Sequence, residues 1–259
     1  MRLLSDVPAP AWQSQPQIIE APAAPADAPP IGLYRGAAVA AFVQLACTLT
    51  TITVVFTLGG EPTTAEEYFT VLQQDRLVGL LRMDFASLIN VTLYPVIAFG
   101  AYAALRRVNA LYAALATALV FLGVAMSLAT HSAFSVLALS DQYALATTEL
   151  QRSQLLTAGA AVIATDWWHS TGGLLAGIFM QGGIVLLSWV MLRSTAFGKL
   201  TAYAGMISNG LDWLHIGVGL VLPGVAAGLL MIGGLVYLVW FPLLGRDLWR
   251  LGRRTNRFL

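Results

Sequence analysis

Two short segments of this chain share one spelling: Asp166-Trp167-Trp168-His169 and Asp212-Trp213-Leu214-His215 both read Asp-Trp-x-His. In a helix, residues three apart lie on one face, so each Asp and its His point the same way while the Trp points elsewhere. Two antiparallel helices built on these segments would aim two Asp/His pairs at one place. Asp84-Phe85-Ala86-Ser87 is a degraded third copy, and no longer repeat surrounds the three. Arg82, Asn90, His131 and Asn209 are further polar side chains set within apolar stretches, and His131, His169 and His215 are all the histidines of the chain.

Three chemistries fit such residues. Carboxylates that accept hydrogen bonds from His or Arg can tie helix ends together in a network that binds nothing. Neutral imidazoles and carboxylates also ligate zinc and iron, and paired carboxylate-x-x-His faces build di-iron centres in helix bundles. Here that ligand set would be His131, His169, His215, Asp84 and Asp212, with a haem between two histidines as a variant. Asp lacks the reach of the Glu used in ferritin-like centres, and at ~1.5 Å per residue His215 stands about two helical turns from the level of His131 and His169. Third, Asp and His inside a membrane are the usual relay groups of proton-coupled solute movement. The half of the apolar segments away from these residues offers no continuation of such a path.

No Gly-x-Ser-x-Gly elbow, His-Glu-x-x-His motif, Walker loop or dinucleotide fingerprint is present. A structural or ligand-binding role therefore stands ahead of an enzymatic one. The expected site is an outward-facing pocket of Asp84, His131, His169, Asp212 and His215, with Arg82 and Asp166 at its rim and Asn90 and Asn209 among its polar groups. It would be open to a small-molecule ligand at the outer face.

The elements that must carry these residues follow from composition. Of 259 residues, 58% are hydrophobic and 10% charged, with a mean hydropathy of +0.73, against roughly 25% charged in a soluble domain. Lipid must coat much of this surface. The net charge of +1, with no basic patch interleaved with aromatics, excludes nucleic-acid binding. Cys47 is the single cysteine, which leaves no intrachain disulfide or thiolate zinc cluster. Lys199, the single lysine, falls in a predicted loop, which disfavours retinal attachment.

Six apolar segments, each near the ~20 residues that a ~30 Å hydrocarbon core requires, predict an all-α polytopic membrane protein built as a six-transmembrane-helix bundle. They run from about Tyr34 to Leu58, Leu80 to Leu105, Ala110 to Leu137, Trp167 to Leu192, Leu200 to Leu222 and Val225 to Leu244. This membrane domain, residues 34–252, follows a Pro/Ala-rich tail (1–33) expected to be disordered and free of a signal-peptide core. A basic tail, 253–259, ends the chain. Thr64-Ala65-Glu66-Glu67 is a capping box that should start a short surface helix with Ala65, Tyr68, Phe69 and Leu72 on one face. Leu155 to Ala164 is too short to span and reads as an outward extension of the fourth span or a segment lying on the bundle.

Basic residues in short loops are retained in the cytoplasm. With the N-terminus inside, Arg2, Arg35, Arg106, Arg107, Arg193, Lys199, Arg246, Arg250, Arg253, Arg254 and Arg257 fall inside and only Arg76, Arg82 and Arg152 outside. An even number of spans is required, and both termini are cytoplasmic. Trp167 and Trp168 should mark the outer interface, and Tyr34, Tyr112, Tyr203, Trp189, Tyr237 and Trp240 the inner one. Gly173/Gly177 and Gly224/Gly228 are small-xxx-small pairs suited to close packing inside the bundle, with a homo-oligomer or membrane-protein partner as the other reading. Pro95 should bend the second span near Val91.

Three further pieces, Arg35-Gly36, His169-Ser170-Thr171-Gly172 and the ending Trp240-Phe241-Pro242-Leu243-Leu244-Gly245-Arg246-Asp247-Leu248-Trp249-Arg250-Leu251-Gly252, resemble an uncharacterised family of bacterial six-span membrane proteins. The likeness covers about residues 34–252. It implies a compact six-helix bundle in a bacterial cytoplasmic (inner) membrane, and it carries no activity, substrate or cofactor with it.

Overall fold

Apolar residues on every side of a helix leave no polar face for water, so such helices bury one side on neighbours and turn the rest to an apolar medium. The computed structural model describes residues 31–166 and 169–255, without the side chains of Ile31, Arg254 and Thr255. The expectations for most of both tails and for Trp167 and Trp168 fall outside these residues. All regular structure among them is α-helical: α1 (Ile31–Leu58), α2 (Ala65–Gln74), α3 (Arg76–Arg82), α4 (Phe85–Thr130), α5 (Ala133–Leu145), α6 (Glu149–Ala164), α7 (Thr171–Leu192), α8 (Lys199–Gly219) and α9 (Pro223–Thr255).

Among the described residues, four stretches are long and apolar enough to cross a membrane: Gly32–Leu58, Phe85–Leu145, Thr171–Leu192 and Pro223–Arg253. This differs from the six segments expected, for two physical reasons. Two of the six fall within the single stretch Phe85–Leu145. And α8 carries Asn209, Asp212 and His215, which leave it outside the four.

A straight helix of α4's 46 residues would run roughly 69 Å. It is instead broken at Asn109 (φ −155°, ψ 97°), whose side-chain oxygen accepts the N–H of Tyr112 at 3.1 Å and caps the second half. The halves fold back on each other: Phe99 and Phe121 meet edge to face at 4.8 Å, and beyond the far end Phe85 meets Phe134 at 6.1 Å. The backbone stays helical through Pro95, since Asn109 is the one non-helical residue inside α4.

The main core lies between α1, α4, α7, α8 and α9 and is filled by Ile97, Leu105, Val120, Ile184, Leu187, Trp240, Phe241 and Leu244. Trp240 is 1% exposed, so it packs in the core instead of marking an interface. Gly177 of the first expected pair packs closely on α8, where a Cβ would stand 2.5 Å from Ile216 Cδ1, and two glycines outside both pairs meet helix backbone. A Cβ on Gly123 would stand 2.6 Å from both the Ala176 carbonyl oxygen and the Met180 nitrogen, and one on Gly183 would stand 2.7 Å from the Ala116 carbonyl oxygen. Gly224 and Gly228, by contrast, have open space where a Cβ would go, so that pair does no packing within the chain.

One end of the bundle collects the start of α1, the α7–α8 turn and the end of α9. There the Arg35 guanidinium lies 6.0 Å from the Trp249 ring, Gly252 meets Arg35, and Arg193 covers Trp189 at 3.8 Å. The motifs Arg35-Gly36 and Trp249 to Gly252 thus meet in space. The other end is covered by α2, α3, α5 and α6 around a second small core of Tyr68, Phe69, Leu72, Met83, Ala133 and Val136. Thr64 caps α2 as expected, accepting the Glu67 N–H, and Ala65, Tyr68, Phe69 and Leu72 are its buried residues. α6 is a separate helix, begun by a capping box at Thr148 and Gln151. It packs on α5 and α2, so Leu155–Ala164 is not a continuation of α7.

Candidate functional site

The polar residues singled out from sequence fall into two groups at different levels of the bundle. The first sits at helix junctions beside the second core. Spans expected to run through Asp84 and His131 are interrupted there: Arg82 ends α3, Asp84 precedes α4, and His131 and Ser132 separate α4 from α5. Asp84 adopts a left-handed backbone (φ 55°), a conformation that Asp tolerates better than bulkier residues, and it accepts the Thr51 hydroxyl at 3.1 Å. Arg82 donates through Nε and Nη2 to the Gly60 carbonyl at 3.1 and 2.9 Å, bracing the α1–α2 connection. His131 Nδ1 accepts the Ala133 N–H at 3.3 Å. Asp166, 8% exposed, accepts the Ser132 N–H at 2.8 Å and so satisfies the start of α5 from across the fold.

Glu61 and Tyr68 join this group without a signal in sequence beyond their polarity. The Tyr68 hydroxyl donates to Glu61 at 2.6 Å. Glu61 is exposed overall, but desolvation of its carboxyl against Tyr68 pushes its pKa up and outweighs that hydrogen bond, which favours the charged form. The charges of Asp166 and Asp84 push the same way as desolvation, and His169 opposes them. Tyr68 is itself raised, by burial first and by the Glu61 carboxylate second. His169 is exposed. Its N–H bonds to the Asp166 carbonyl at 2.9 Å, and both Asp166 and His169 lie between α6 and α7, outside either helix.

The second group lies inside the main core. Asp212 Oδ2 accepts the Tyr237 hydroxyl at 2.8 Å and the Gln181 amide at 3.1 Å. The same hydroxyl stands 3.1 Å from Asn209 Oδ1 and 3.4 Å from Gln181 Oε1, and it shares a hydrogen bond with Tyr94. Asn209, fully buried, donates its amide to the Gly205 carbonyl and to Ser208 Oγ at 2.9 and 3.1 Å. α4, α7, α8 and α9 each contribute one or two residues. Tyr237, expected at an interface, is buried at the centre. His215 places Nδ1 3.1 Å from the Ala226 carbonyl and ties α8 to α9. Asn90 belongs to neither group: its amide reaches Thr48 Oγ1 at 3.5 Å and its carbonyl accepts the buried Gln44 side chain at 3.0 Å, linking α4 to α1.

Among the described residues no three His, Cys, Asp or Glu side chains gather as a metal-ligand group. His131, His215 and His169 sit respectively at a junction, on the α8–α9 seam and on the surface, and Asp84 and Asp212 serve different networks. Gln181, Tyr94 and Tyr237 are the functional-site residues that sequence reasoning missed, and Gln181, the one amide inside α7, was the available signal.

By fold and hydropathy the chain is a helical, multi-pass membrane protein, with Gln44, Ser188, Ser208 and Asn209 among the polar groups buried inside it. Compared with protein-family models, curated proteins and solved structures, it matches none.

Proposed function

We propose that this chain is a six-span protein of the bacterial cytoplasmic membrane, with both termini inside, whose polar groups near the outer end hold helix junctions together and do not catalyse. The observation that carries the reading is its inverted surface. Phe56, Leu111 and Val221 are 83%, 73% and 77% exposed, whereas Gln44, Ser188, Ser208 and Asn209 are 0% exposed. In water this costs stability on both counts, and in lipid it is the favourable arrangement. The fold-back at Asn109 supplies two antiparallel helices of spanning length from α4, and α8 accepts its polar residues because Tyr237 and Gln181 satisfy them from inside. Arg35, Arg193, Lys199 and Arg250 share one end of the bundle, which supports a cytoplasmic assignment for it. The likeness to uncharacterised six-span bacterial proteins points the same way.

Single-cysteine labelling in a Cys47→Ser background tests this. Ala110→Cys, beside the Asn109 turn, is expected to resist an impermeant maleimide in intact cells and to react after lysis. Thr147→Cys, in the exposed α5–α6 connection, is expected to react in intact cells. The reverse pattern would overturn the proposal.

A further inference from the structure

Asp212 is held where a carboxylate has reason to bind a cation. Gln181 stands near the middle of α7 (Thr171–Leu192), and Asp212 lies roughly 20 Å along α8 from Lys199, so their network sits near mid-depth of the bundle. The Gln181 amide donates to Asp212 Oδ2, and Tyr94 shares its hydrogen bond with Tyr237. Asp212 Oδ2, Asn209 Oδ1 and Gln181 Oε1 all face the one hydroxyl hydrogen of Tyr237. The Asn209 amide is spent on Gly205 and Ser208. Asp212 Oδ1 is buried with no hydrogen-bond partner among the described residues.

The one basic group that faces it is His215, a turn further along α8. Asp212 forms no ion pair with Lys or Arg among the described residues. The titratable groups that face it are His215 on its own helix, Tyr237 on α9 and Tyr94 beyond it on α4, while α7 offers the neutral Gln181. Gly233 of α9 lies over the buried Oδ1, and a Cβ there would approach to 3.0 Å, so the absence of a side chain leaves room beside that oxygen. A charge at this depth is costly unless neutralised. Secondary transporters place their coupling-ion sites near the bilayer midplane, among oxygen ligands.

We propose that Asp212 is an exchangeable cation site: its carboxyl holds a proton, or gives that proton up and takes a monovalent metal ion such as Na⁺ at Oδ1, with neighbouring amide and phenol oxygens completing the shell. The exchange balances as one cation in for one proton out. The inference rests on the membrane reading above, because only a lipid-sheathed bundle denies Asp212 neutralisation by bulk water.

Dicyclohexylcarbodiimide, an apolar reagent that attacks protonated carboxyls, tests it on the purified full-length protein in nanodiscs, with the adduct mapped by peptide mass spectrometry. Labelling of Asp212 is expected to be strong at low pH and to fall as pH rises. At fixed pH, protection by Na⁺ but not by choline assigns the metal ion as well, and no difference between the two salts assigns the proton alone. Tyr237→Phe, which removes a donor that favours the charged carboxylate, is expected to move the labelling midpoint to higher pH. A midpoint that stays put would leave Tyr237 merely packed there, and the donor set argued here would be wrong. The proposal is overturned if Asp212 stays unlabelled at every pH, or is labelled equally at every pH and salt. These readouts do not depend on which end of the bundle is cytoplasmic, so failure of the topology test and failure of this one are separable.

Discussion

Gly123→Ala places a methyl group where α7 has its backbone. The added Cβ would stand 2.6 Å from the Ala176 carbonyl oxygen and from the Met180 nitrogen, and 2.7 Å from Met180 Cβ. Two of the three are main-chain atoms of a helix, so no rotamer change relieves the clash and α7 must shift as a body. Overpacking a core by a methylene costs about 1–3 kcal/mol where side chains can adjust, and backbone targets set the expectation at or above about 3 kcal/mol. Gly210→Ala supplies the reference, because no atom lies within 4 Å of its Cβ position and replacing a helical glycine stabilises by roughly 0.5–1 kcal/mol. The two substitutions should therefore differ by about 4 kcal/mol in opposite directions, as read from equilibrium unfolding in mixed detergent–SDS micelles. Gly183→Ala strikes the same seam from the other side, 2.7 Å from the Ala116 carbonyl oxygen. One displacement of α7 relieves both, so the double variant should cost less than the sum. A Gly123→Ala protein as stable as Gly210→Ala would refute the idea that backbone contact joins α4 to α7.

Two further outcomes are expected. Asp247 is 4% exposed and accepts the Gly198 N–H at 2.9 Å and the Thr201 hydroxyl at 2.6 Å, fastening the α7–α8 turn to α9; Asp247→Ala should lower stability by about 3 kcal/mol through two orphaned donors, Asp247→Asn by less, and equal losses in the two variants would contradict this. At Glu61 the raised pKa means the folded state holds the proton more tightly, so its contribution is full below the unfolded glutamate pKa and is lost as pH rises through the folded value. Glu61→Gln, which keeps an acceptor for Tyr68, should then gain thermal stability relative to wild type at neutral pH but not near pH 4, and a difference that is flat with pH would refute the raised pKa.

What could be read from sequence was set by how much phase information each segment holds. α2 has a polar and an apolar side, and its buried residues matched the expected face one for one. The long helices are apolar all round, so their sequence says how far they extend and little about which side meets which neighbour. That is why Gln181, Tyr94 and Tyr237 were not joined to Asp212 in advance, and why Tyr237 and Trp240 read as interfacial residues although both are buried. The turn at Asn109 is tighter than the gap between the two expected spans. A break between Leu105 and Ala110 is expected from sequence, but one extended residue with an Asn cap is enough to reverse the chain.

The repeated Asp-Trp-x-His spelling shows how far local spacing can be trusted. Its value lay in the premise that both copies are helical, and the premise holds for Asp212 and His215 alone. Around Asp166 the chain turns, and the carboxylate serves the N–H of Ser132 because α5 starts there with a donor to satisfy. In the second copy no helix start is near, so the carboxylate takes its donors from α7 and α9 and keeps one oxygen over. Identical residues thus take different roles according to whether a backbone donor is within reach. The copy that lacks one is where an added cation has something to do.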